Sequence, residues 1–294
     1  MSRGNLRRAG GTAAVIAGSA LWAASAFANV TAHVVTEAEK DVGIIGTAGD
    51  VKSCTGCLAS ISSTGTVVTQ QFGTNQSDGS ATASADYGVL KTFATASSNG
   101  HYGYATATAS ASFSDAFTID APGLDGQHGT VTIPLEFNYV SSRSGTATSH
   151  VTLTFQTFPG GPPETYQRSL TFHPDGTTTS DSFDPGPVVT PFSTLLLARV
   201  DFVFGQPLSF EAKLDVGGGG PFDESFTLDA AHSAYWGGFR SVTDANGDAV
   251  AYRLAPGSQA DWSKSYIPLA VPEPNAYVLV LAGLCTVGFA LRRR

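Results

Sequence analysis

From Val131 to Tyr139 the chain alternates without a break: Val131, Ile133, Leu135, Phe137 and Tyr139 against Thr132, Pro134, Glu136 and Asn138. A period of two cannot lay its apolar residues along one helix face, but it gives a strand one buried row and one wet row. The pattern returns in Leu208, Phe210, Ala212, Leu214 and Val216, set against Ser209, Glu211, Lys213 and Asp215. It returns again in Val151, Leu153 and Phe155, in Phe226, Leu228 and Ala230, and in Val250, Tyr252 and Leu254. Turn chemistry separates these runs: "SSNG" at Ser97 to Gly100, "PDG" at Pro174 to Gly176, "DANGD" at Asp244 to Asp248, and the glycine-rich loops "PGGPPE" and "GGGGP". Helical periodicity is nearly absent between residues 29 and 271. The expectation is an all-β fold, a β-sandwich of jelly-roll-like form, with a barrel as the alternative that the same alternation allows. Pro134, inside an otherwise regular strand, predicts an edge or a bulge.

A different texture runs from Ser80 to Ser112, where Ala, Ser and Thr alternate with little large apolar volume. Val89 to Ala96 and Tyr102 to Ser112, reversing at "SSNG", predict a flat hairpin with small side chains. Such a face allows close sheet stacking and specifies register weakly. Two readings follow: a self-association surface, or a sandwich hairpin filled by large residues opposite.

The two ends differ from this body. Residues 1–28 combine a basic start (Arg3, Arg7, Arg8), an apolar stretch from Ala13 to Leu21 and the small-residue site "AFA". This is the composition of a secretory signal, cleaved after Ala28 to leave Asn29 at the new N-terminus. At the other end, Pro272, Glu273 and Pro274 precede sixteen uncharged residues, Ala276 to Leu291, and the basic cluster Arg292, Arg293 and Arg294. The uncharged run is slightly shorter than the ~17 to 25 residues usual for a membrane span. Tyr277 in the headgroup layer and local thinning would let it cross, with the arginines retained on the cytoplasmic side. Both ends predict one topology, with the body exported and the tail inside. The domain reading is signal peptide 1–28, a single body 29–271 and a sorting segment 272–294.

The tail, Pro-Glu-Pro followed by an apolar helix and an arginine cluster, resembles the PEP-CTERM sorting signal of Gram-negative bacteria. That resemblance implies recognition by an exosortase-type membrane protease-transpeptidase, removal of the tag near Pro272, Glu273 and Pro274, and release to the cell surface or the extracellular polysaccharide matrix. Independently of the family, two prolines hold the chain extended and keep the site out of the helix. A plain C-terminal anchor is the alternative reading.

Six of the sixteen basic residues and one of the 24 acids lie in the end segments, leaving 10 basic against 23 acidic residues in the body, a net of −13. Nucleic acid is therefore not expected as a partner, and an anionic polysaccharide would be repelled unless a cation bridged the two. The expected partners are the export machinery, the exosortase-type enzyme, the inner membrane transiently through the tail, and extracellular polysaccharide or neighbouring copies.

Few residues point to chemistry. Cys54 and Cys57 in "CTGC" are the only cysteines outside the tail, and in an oxidising compartment they most simply close a small disulfide loop. Asp244, Asn246 and Asp248 fit the first, third and fifth positions of a calcium loop, but Ala249 and Ala255 stand where Gly and Glu are required, so a hairpin turn is the simpler reading. Trp236 in "AYWGGFR" and Trp262 in "ADWSKSY" are candidates for stacking on sugar rings, with core packing as the alternative. Tyr235 and Trp236 must point to opposite faces of a strand, so one of the two belongs to the core. Nucleophile-elbow, phosphate-loop, dinucleotide and zinc-protease motifs are missing, and the six histidines are scattered singly. No cofactor and no catalytic residue are expected. The role anticipated is a structural surface or matrix component; the alternatives are a carbohydrate-binding module and a polysaccharide hydrolase built on two carboxylates.

Overall fold

The computed structural model describes residues 29–40, 43–54, 59–69, 75–99, 103–159, 162–183, 195–221, 224–258 and 260–268. The predicted signal peptide and C-terminal helix lie outside them. Within them the chain forms β1 (Asn29–Lys40), β2 (Gly43–Cys54), β3 (Ala59–Thr69), β4 (Asn75–Asp86), β5 (Val89–Asn99), β6 (Gly103–Asp120), β7 (His128–Phe137) and β8 (Val140–Ser144). There follow β9 (Thr148–Phe158), β10 (Glu164–Phe172), β11 (Thr178–Phe183), β12 (Leu195–Val203), β13 (Pro207–Pro221), β14 (Ser225–Trp236), β15 (Ser241–Asp244) and β16 (Arg253–Pro256). They build two antiparallel sheets. The first runs β11-β10-β9-β13-β6-β1-β2 with β16 beside β6, and the second runs β12-β7-β14-β5-β4-β3 with β15 beside β7 and β8 beside β14.

The alternation places the rows as expected. Val131, Ile133, Leu135 and Phe137 are buried, as are the apolar rows of β9, β13 and β14. Rings from both sheets meet in one core: Trp236 of β14 lies 5.2 Å from Phe210 of β13 and 6.0 Å from Phe155 of β9, centroid to centroid. Val250 and Tyr252 pack against this core outside regular strand, and only Arg253–Pro256 continues as a strand, in the opposite sheet from β15.

Two expectations are corrected. β5 and β6 do not form a hairpin: β5 pairs with β4 and β14, whereas β6 pairs with β1 and β13, so the chain crosses between sheets after "SSN". The small residues therefore meet face to face across the sandwich. Ala81, Ala83 and Ala85 of β4 and Ala94 and Ala96 of β5 are buried, and β4 and β5 pack against β6, whose Ala105, Ala107, Ala109 and Ala111 are buried too. One half of the core is thus filled by alanine and the other by aromatic rings.

The second correction concerns "GGGGP". Gly217 to Gly220 are not a loop; they extend β13 and pair with Thr108 to Ala105 of β6 and, as far as Gly219, with His150 to Thr148 of β9. Neighbours occupy the space a side chain would need. A Cβ on Gly218 would sit 2.4 Å from the Thr148 carbonyl oxygen, and one on Gly220 would sit 2.4 Å from Glu224 Oε2.

Pro134 lies in an interior strand, with β12 on one side. On the other side the neighbouring ladder changes hands, from β14 at Leu135 to β15 at Thr132, and Gly237 donates to the Pro134 carbonyl (2.8 Å). A residue without an N–H thus stands in the gap, Ile133 and Pro134, between the two ladders on that side of β7.

Candidate functional site

Shortly before the Pro-Glu-Pro triplet, residues 257, 258 and 260–268 are strapped onto the core. The fastener is Asp115 on β6. Phe113, Asp115, Phe117 and Ile119 share the inward row, so the strand's own period carries a carboxylate inside, where it is 2% exposed. A buried acid requires donors, and the strap supplies two of them. Trp262 Nε1 donates to Asp115 Oδ2 (2.6 Å), Ser258 Oγ donates to the same oxygen, and Oδ1 accepts from the Ala116 N–H (2.7 Å). Gly257 adds a main-chain bond to the Ala116 carbonyl (2.7 Å).

Trp262 is the strap's plug. Its indole stacks on Phe113 (5.4 Å, 15° between planes) and meets Phe210 edge-on at 5.1 Å. Its carbonyl accepts from Trp236 Nε1 (2.8 Å), and Tyr266 N–H donates to the Trp236 carbonyl (2.8 Å). The path over the surface needs two glycines at positive φ. A Cβ on Gly88 (φ +77°) would lie 2.6 Å from the Tyr266 ring, and one on Gly238 (φ +80°) would lie 2.8 Å from the Ser263 carbonyl oxygen. Outside the plug, Lys264 bridges to Asp261 at 2.7 Å and Ser263 Oγ donates to Asp261 (2.6 Å). The bond from Lys264, then that from Ser263, holds the Asp261 carboxyl below the usual range.

Both tryptophans considered as sugar platforms are fully buried. This corrects that reading: no ring face is left for a ligand. Trp236 shares the inward parity of Phe226, Leu228, Ala230 and Ala234, which leaves Tyr235 on the outer side. At Asp244, Asn246 and Asp248 the structure shows a turn. Asp244 Oδ1 accepts from the N–H groups of Asn246 and Asp248 (both 2.9 Å), and Gly247 takes φ +87°. These bonds lower the Asp244 pKa, that from Asp248 most. Among the described residues no three His, Cys, Asp or Glu side chains gather in one group.

Asn29 opens β1, paired with Ser114, and Cys54 closes β2, paired with Val30. Ala28, Cys57, Pro272, Glu273, Pro274 and Arg292 to Arg294 lie outside the described residues. A second inward acid went unnoticed in the sequence, as Asp115 did. Glu224 Oε1 accepts from the N–H (2.7 Å) and hydroxyl of Thr146, while its Oε2 is buried without a hydrogen-bond partner. Both acids were findable, since Asp115 holds the apolar parity of β6 and Glu224, one residue before β14, that of Phe226 and Leu228.

The described part of the strap ends at Pro268, four residues before Pro272 in the sequence. The segment that follows decides the comparison with known proteins: residues 270–294 match the PEP-CTERM protein-sorting motif. This chain carries a PEP-CTERM sorting motif. The PEP-CTERM motif implies an exported protein that is anchored in the membrane and then processed by an exosortase-type system. No curated protein matches the chain as a relative.

Proposed function

We propose that the body is a non-enzymatic structural component of the cell surface or extracellular matrix, delivered there by its PEP-CTERM tail and associated with exopolysaccharide or neighbouring copies. The observation that carries this reading is the junction of a PEP-CTERM motif with a two-sheet body whose C-terminal strap is fastened directly upstream of it. In such an arrangement the tail is removable, because every strap residue that enters the core precedes the motif. The net charge of −13 favours neutral polysaccharide, or contacts made through uncharged parts of the surface, over polyanions. A jelly-roll-like form of the two sheets belongs to the same proposal.

The test is fractionation of the native host with N- and C-terminal sequencing of the form found outside the cells. The expected product begins at Asn29 and ends near Pro272 to Pro274. Recovery of an intact chain, Arg292 to Arg294 included, dissolved in the cytosol would overturn the proposal.

A further inference from the structure

Sheet edges invite pairing with other chains, and proteins guard them with charge, proline or shortness. Leaving aside the short flanking strands β8, β15 and β16, the four strands that end the two sheets are guarded unequally. β11 is six residues long and contains Asp181; β12 carries Arg199 and Asp201, both exposed; β2 contains Asp50 and Lys52. β3 has eleven residues, no charge and no proline. It lies within a run of 25 residues, Ser53 to Ser77, that holds no Asp, Glu, Lys or Arg at all. The other long strand without Asp, Glu, Lys or Arg among the described residues, β9, is interior and paired on both sides.

β4 pairs with β3 along its whole length, from Ala59 opposite Ala85 to Thr69 opposite Asn75. Among the described residues β3 has no second neighbour in its sheet, so its other row of N–H and C=O groups is a template for one more strand. The occupant must tolerate a body of net charge −13. A second copy is repelled at every acidic part of the surface, but not along β3. Antiparallel pairing of β3 with itself about a two-fold axis places Thr64, its midpoint, beside its own copy and sets no like charges opposite one another. We infer that β3 is a self-association edge, through which two copies join their second sheets into one continuous sheet. This rests on the reading of the body as a structural component and names its partner. It moves self-association away from the alanine-rich strands, which the core consumes.

The test is sedimentation velocity on the protein purified from whichever fraction of the native host holds it, so its outcome does not depend on where the protein is found. The expected result is a concentration-dependent doubling of mass. Ser62 and Thr64 pair with Thr82 and Ser80 of β4, whose side chains are on the outer face. S62E with T64E should therefore weaken the dimer by at least about tenfold, because like charges then oppose across the axis. The same charge added at exposed Val140, V140E, should leave dimerisation unchanged. Near-UV circular dichroism from the buried tryptophans checks that each variant folds. Should the double variant unfold, amide exchange in β3 of the unsubstituted protein, slowing as concentration rises, supports the inference. A monomer at all concentrations, a folded double variant that dimerises as before, or β3 exchange indifferent to concentration would overturn it.

Discussion

Asp115 shows how one side chain can tie distant parts of a sandwich together. It is buried, yet its two oxygens accept from Trp262, Ser258 and the Ala116 N–H. Removing the carboxylate would leave the Trp262 indole N–H buried without its acceptor, a loss of about 1–3 kcal/mol. Asp115→Ala should therefore lower the urea midpoint, with a near-UV change centred on tryptophan. Trp262→Ala should cost more, about 3–5 kcal/mol, because it empties the plug as well. A different residue sets a pH effect. His150, exposed on the outer face of β9, has its pKa lowered, chiefly by desolvation and against the attraction of Asp215. Its imidazolium is thus disfavoured in the folded state, so its contribution is intact above the ordinary value of 6.5 and is lost as pH falls below it. Thermal melts across that range should show a steeper acid-side decline in the native protein than in His150→Gln.

At the scale of elements, the alanine rows and the glycine run make one half of the core intolerant of added volume. Ala107 is fully buried on β6, facing the alanines of the opposite sheet. Ala107→Leu should destabilise by about 1–3 kcal/mol through overpacking, although leucine is the more hydrophobic residue. Gly220→Ala belongs to the same class: its Cβ would meet Glu224 Oε2 at 2.4 Å and the Ala147 backbone at 3.0 Å, and Glu224 is pinned by Thr146. Denaturant titration of both variants checks this. These elements also mark where sequence reading stopped. The rows of β7, β9, β13 and β14 were legible because alternation is local. "SSNG" showed that the chain reverses, but a reversal does not say whether the next strand pairs beside the last or crosses to the facing sheet. The glycines of β13 read as a loop because glycine is a poor strand former, while the crowding that requires it comes from Thr148, Ala147 and Glu224. Asp115 was legible in principle, as a charge on an apolar parity. Trp236 needed the same parity argument carried one step further along β14, whereas Trp262 lies in no strand and offers no parity to read.

Across the whole molecule, the last described stretch of the body is structurally central. Residues 257, 258 and 260–268 close over Phe113, Phe210 and Trp236, although they stand last before the motif. The tail itself was the most legible part, because its signal is an ordered series of short segments and asks nothing of tertiary structure. A chain truncated after Pro256 should lose the plug and the Asp115 donors together. It is expected to unfold at markedly lower denaturant than one ending at Pro268, and limited proteolysis of the two would show the same order.

The late position of Trp262 also sets a timetable. A polypeptide threaded across a membrane from its N-terminus exposes both sheets before the indole that seals them has emerged. In a chain exported in that way the aromatic half of the interior would therefore stay unsealed until Trp262 had emerged, so the body could not close before the residues next to the motif had crossed.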